Sequence, residues 1–164
     1  LLLLDYPNGT FTNDNYMSGT VPSSSLLYLG NTSATNESGS NMIAYCFAEK
    51  KGYSKFGSYT GTGNANGPFI YTGFKPAFII LKVSSDINDW TMFDNKRPGY
   101  NVNNQALFPN LSNSESTNHA IDILSNGFKI KDNDGHVSPN GQTMIYMAFG
   151  QSLVGSNNVP CTAR

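Results

Sequence analysis

Apolar residues in this chain alternate with polar ones over short runs instead of returning every three or four positions. Phe69–Phe74 and Pro76–Val83 are β-branched and aromatic runs bounded by Gly, Pro and Asn, the pattern of short strands. Trp90–Asp94 alternates as a half-buried strand should. Ile121–Lys131 holds two alternating stretches joined across Ser125-Asn126-Gly127, which predicts a hairpin with the Asn-Gly pair accepting positive φ. Asn8-Gly9, Asp134-Gly135 and Asn140-Gly141 add tight turns. Helical periodicity is nearly absent, and the polar interval Asn101–Asn118 is the one place left for a short helix or an ordered loop. Short strands with turn punctuation predict an all-β fold, an antiparallel β-sandwich or a jelly-roll-like barrel.

The pattern also repeats. Met42-Ile-Ala-Tyr-Cys-Phe-Ala-Glu49 returns as Met144-Ile-Tyr-Met-Ala-Phe-Gly-Gln151, a spacing of 102 residues, each copy led by a Gly three positions earlier, Gly39 and Gly141. That spacing is too long for a stacked solenoid and fits two copies of one module. Fewer residues precede the first copy than the second, so the expected organisation is residues 1–53 as the C-terminal part of a preceding β-module and residues 54–164 as a complete one. On this reading the chain starts inside a module and continues a longer polypeptide, with the two Met-led runs as equivalent strands of related units, the first incomplete.

Composition narrows the class. Charged residues make up 13% of the chain against about 25% in ordinary domains, which suits an extracellular or particle-borne β-protein better than a cytosolic enzyme. A net charge of −1 gives no reason to expect nucleic acid as a partner. No apolar run approaches the roughly 20 residues of a membrane span, so no membrane insertion is expected.

Candidate chemistry is sparse. Trp90, the sole Trp, has Asp89, Asn95 and Arg97 close by, and a ring face beside acid, amide and guanidinium groups is what a sugar-binding cleft uses. The preferred reading is plainer: Trp90 anchors the sandwich core, and the charged run is a solvated turn ended by Pro98-Gly99. Asp132-Asn-Asp-Gly-His136 lacks the further acids of a Ca²⁺ loop and reads as a solvated hairpin turn. His119 and His136 are too few for a triad or a zinc site, so neither a metal, a cofactor nor a catalytic residue is expected. Asp86, Asp89 and Asp94 are close in sequence, but nothing marks two of them as a facing pair. Cys46 reads as a core residue of a strand, with a pairing to Cys161 left open.

Ile43–Glu49, Gly52–Gly61, Gly67–Lys82, Asp89-Trp90, Asp94–Pro98, Ile145–Gly150 and Val159–Arg164, in this order, resemble an uncharacterised domain near the C-termini of large structural proteins of marine tailed phages. The resemblance covers residues 42–164. It implies a virion appendage such as a tail fibre, located at the particle surface, non-enzymatic, with other virion proteins and a host-surface glycan or protein as partners. It assigns no binding residues. A purely structural role, as a head decoration or spacer, is the alternative. Fibre proteins present several weak sites at once, so a homo-oligomer, with a trimer favoured, is expected.

Overall fold

The computed structural model describes residues 1–151 of the 164 in the chain. They divide into two compact units, Leu1 with Thr10–Phe47, and Leu2–Gly9 with the chain from Ala48 onward.

The first unit holds two helices of four residues, α1 (Asp14–Met17) and α2 (Ser33–Asn36). The side chains of Asn13 and Thr32 accept from backbone amides at their starts, which is capping chemistry. Such short helices have no apolar face long enough to bury, and none of their residues is buried. The loop between them is held by Gly30 N–H donating to Tyr16 O and Thr32 N–H to Asn15 O, each at 3.0 Å.

The second unit carries seven strands: β1 (Ser54–Thr60), β2 (Phe69–Tyr71), β3 (Pro76–Val83), β4 (Thr91–Asp94), β5 (Ile121–Leu124), β6 (Gly127–Ile130) and β7 (Thr143–Gly150). They form two antiparallel sheets, ordered β1-β7-β3-β4 and β2-β6-β5. The fold is therefore all-β and sandwich-like, as the alternation predicts. Inward residues of the larger sheet, Ile79, Leu81, Val83, Phe93, Met144 and Ala148, share one core with Ile70, Ile121, Ile123, Phe128 and Ile130 of the smaller. Phe128 bridges the layers, with its ring edge-on to Tyr146 at 5.6 Å and to Tyr59 at 6.4 Å. The Tyr59 hydroxyl donates to Val137 O at 2.7 Å, which ties the 132–141 loop to β1.

The polar interval 101–118 is an ordered loop without a helix. Its backbone is satisfied by isolated bridges, Met92 to Leu107, Asn103 to Ile121 and Ala106 to Ser116, so it lies along β4 and β5 and buries Ala106.

Two expectations meet a different structure. The second Met-led run is β7, paired on both sides by β1 and β3. The first, Met42–Glu49, lies in no strand; Ile43, Tyr45 and Phe47 are exposed, and Cys46, read from sequence as a core residue, is exposed as well. Alternation specifies which side chains share a face, but a strand also needs a neighbouring strand to take its backbone hydrogen bonds, and no strand pairing is assigned to this run among the described residues. Cys161 lies outside the described residues.

The β5–β6 hairpin forms where expected, for another reason. Neither Asn126 nor Gly127 adopts positive φ. Gly127 sits in the middle strand of the small sheet, and a Cβ there would lie 2.1 Å from the carbonyl oxygen of Ile70. The strand backbone leaves no room to shift, so Gly127→Ala is expected to cost about 2–3 kcal/mol, from overpacking against main chain. Thermal melting should show a fall of roughly 4–12 °C.

Candidate functional site

The four residues singled out from sequence fall at opposite ends of β4. Asp89 and Trp90 precede it and Asn95 and Arg97 follow it, so its four residues put roughly 13 Å between them at about 3.3 Å per residue. They do not form one cleft. Trp90 is 6% exposed, and its indole N–H donates to Leu3 O at 3.0 Å. No ring face is open for a sugar.

At the far end of β4, Asp94 accepts from the backbone amides of Lys96 and Arg97 at 2.8 and 2.9 Å, and from the Arg97 guanidinium. Burial alone would raise the Asp94 carboxyl; the hydrogen bonds from Arg97 and Lys96 outweigh it and hold the group below its ordinary value. Arg97 also binds Glu115, so its charge is spent on structure. Beyond this corner Gly99, at φ +71°, turns the chain, a conformation that favours glycine. The turn presents Tyr100, which is 77% exposed.

Tyr100 lines an open pocket of about 300 Å³ with Lys75, Asn95, Lys96, Asn101 and Asn103. The Asn101 amide makes one bond at each end, donating to Ile123 O and accepting from Ile123 N–H, both at 2.9 Å. This clamp fixes the loop on β5. Asn103 Nδ2 donates to Asp94 O at 2.6 Å, which orients its amide and leaves Oδ1 buried without a hydrogen-bond partner; Asn95 Oδ1 is in the same state. Both residues line the pocket, while these two oxygens are themselves occluded from solvent.

The opposite end of β4 gathers a second group of side chains. Asp134 Oδ1 lies 2.8 Å from His136 Nδ1 and 3.1 Å from His119 Nδ1. The Asp132–His136 turn makes this possible: Asp132 Oδ1 accepts from Asp134 N–H and Asp134 Oδ1 from His136 N–H, at 3.1 and 2.7 Å. Phe108 stands edge-on to both imidazoles, at 5.5 and 5.6 Å. Burial lowers the His119 imidazole below its ordinary value against the pull of Asp134. For Asp134 the balance reverses: burial would raise it, and the hydrogen bonds and charges of the two histidines keep it low. Asp89 joins here, with Oδ2 3.6 Å from His136 Nε2 and Oδ1 accepting from Asn110 at 2.7 Å. The other acids near it in sequence go elsewhere, Asp86 to Gln142 and Asp94 to Arg97.

Of the residues singled out from sequence, Asn95 lines this pocket; Tyr100 and Asn103, which also line it, were not among them. A signal for Tyr100 was present, an aromatic directly after Pro98-Gly99 in a polar loop. Nothing local marks the meeting of His119 with His136, because it depends on how β5, β6 and the following turn fold back.

No curated protein and no solved structure matches this chain significantly. One family does, over residues 1–152, and its match runs across both compact units. The chain belongs to the family described as Domain of unknown function (DUF7483).

Proposed function

We propose that this chain is a non-enzymatic binding module of a tailed-phage virion appendage, contacting a host-surface glycan through the pocket beside Tyr100. The observation that carries the reading is an exposed aromatic ring, Tyr100, on a pocket whose other lining residues include the amides Asn95, Asn101 and Asn103 and the lysines Lys75 and Lys96. A sugar presents both halves of the complement. Its hydroxyls donate to amide oxygens, and its C–H face stacks on a ring. Lys75 and Lys96 at the rim suit acidic or hydroxyl-rich substituents. The appendage part of the proposal rests on the resemblance of the ordered motifs to those of phage structural proteins, and the all-β framework with polar loops is consistent with it. Single sites of this kind are shallow, so useful adhesion would come from several copies acting together, as in a homotrimer.

The test is binding of the purified protein to a panel of immobilised bacterial surface polysaccharides, with Tyr100→Ala alongside. Tyr100 is exposed, so its loss should leave the melting temperature within about 1–2 °C, a surface substitution being worth at most about 0.5 kcal/mol. Saturable binding that drops at least tenfold in the variant is expected. Binding that survives Tyr100→Ala unchanged would remove the pocket from the account, and no binding to any polysaccharide or to host cells would favour a purely structural role such as a spacer.

A further inference from the structure

We propose that His119, Asp134 and His136 form a binding site for a divalent first-row transition ion, with Zn²⁺ the representative case. One ligand atom from each of these residues lies within 4.8 Å of the others. Around a tetrahedral ion with bonds near 2.1 Å, neighbouring donors stand about 3.4 Å apart, so the 2.8 and 3.1 Å separations from Asp134 Oδ1 are a few tenths of an ångström from that arrangement. Small side-chain rotations would open the space.

Asp134 Oδ1 is the centre of the cluster. Asp134 Oδ1 has three nitrogens around it, the His136 amide and the two imidazole Nδ1 atoms. Only two of them make hydrogen bonds. His119 is 5% exposed, and its Nδ1, although near Asp134, is buried with no hydrogen-bond partner. A buried imidazole nitrogen 3.1 Å from a carboxylate oxygen that already has two donors sets potential ligand atoms side by side.

The surroundings of the three residues match those of a built metal site. Ligating histidines commonly hand their second ring nitrogen to a carboxylate, which fixes the tautomer. Asp89 lies 3.6 Å from His136 Nε2 and is itself held by Asn110. Phe108 packs edge-on against both rings and limits their rotation. The Asp134 side chain is 37% exposed and that of His136 25%, which gives an ion a route in and leaves its remaining positions to water. Two imidazoles and one carboxylate select borderline ions over Ca²⁺ or Mg²⁺, which prefer all-oxygen shells. Bound there, the ion would pin the Asp132–His136 turn to the segment before β5.

The experiment is calorimetric titration of Zn²⁺ into the metal-free full chain carrying Cys46→Ser and Cys161→Ser, which removes thiol ligands. Saturation at one equivalent is expected, with Co²⁺ giving visible absorption and Ca²⁺ giving no heat. His136→Ala and Asp134→Asn should weaken Zn²⁺ binding at least tenfold, while circular dichroism stays unchanged; buried His119 is left intact so that folding is not put at risk. Asp89→Asn should weaken it about 10- to 100-fold by freeing His136. No saturable Zn²⁺ binding, or binding indifferent to His136→Ala, overturns the proposal.

Discussion

Trp90→Ala is expected to lower the melting temperature by more than 10 °C and to leave any ligand affinity of the surviving folded protein unchanged. Trp90 is 6% exposed and hydrogen-bonds through its indole to Leu3 O, so truncation empties a large volume and leaves the half-buried Leu3 carbonyl without this donor. Substitutions of this type typically cost about 3–5 kcal/mol, and the loss of the hydrogen-bond donor adds about 1 kcal/mol. At roughly 2–4 °C per kcal/mol for a chain of this size, the fall is large against a total stability of about 5–15 kcal/mol. The indole also ties the Leu2–Gly9 segment to the rest of its unit, as does Asn88 N–H donating to Pro7 O at 2.8 Å. Proteolysis should therefore release that segment first in the variant. A melting temperature within 3 °C of the parent would contradict the buried position of Trp90.

Phe128→Ala should be at least as damaging, because Phe128 is the side chain that joins the two layers. It is fully buried, lies on the middle strand of the smaller sheet and meets Tyr59 and Tyr146 of the larger one edge-on. Truncation removes about 3–5 kcal/mol of burial together with two ring contacts worth about 0.5–1.5 kcal/mol each. The Tyr59 hydroxyl holds Val137 O, so the effect should extend to the 132–141 loop. Hydrogen exchange checks this: Val137 and Ser138 amides, protected by their bonds to Asp134 O, are expected to exchange faster in Phe128→Ala, while those of α1 and α2 keep their parent rates. Unchanged exchange at Val137 would mean the layers are held by something other than Phe128.

The strands were legible because their signal is local. Pro76–Val83, Trp90–Asp94 and the two halves of Ile121–Lys131 each carry the alternation that one buried face imposes, and each appears within a residue or two of its expected bounds. What was not legible depends on partners distant in sequence. Met42–Glu49 carries the same alternation as Met144–Gln151, yet only the latter has strands on both sides. The Asn-Gly signal located a hairpin, while the need for Gly127 comes from Ile70, 57 positions earlier, whose carbonyl passes within 2.1 Å of where a Cβ would be. Trp90 and Tyr100 show the same limit at the site. Both sit among polar neighbours in sequence, but pairing β4 against β3 turns the first inward, and the Gly99 turn sends the second out. Asp89 and Arg97, drawn toward a sugar by proximity in sequence, are instead spent on His136 and on Asp94 with Glu115. The histidine cluster was hidden most deeply, since two histidines 17 positions apart say nothing until a hairpin and an Asp-led turn bring them onto one carboxylate.

The binding account is tested most directly by following backbone amide resonances of the isotopically labelled chain during titration with oligosaccharides released from the surface of a candidate host. The account predicts saturable shifts at Asn95, Tyr100, Asn101, Asn103 and Ile123, the rim and floor of one pocket, with the amides of Trp90 and His136 unmoved at the other end of β4. Shifts confined to the Trp90 end, or none at any site with oligosaccharides that the intact protein is shown to bind, would contradict it.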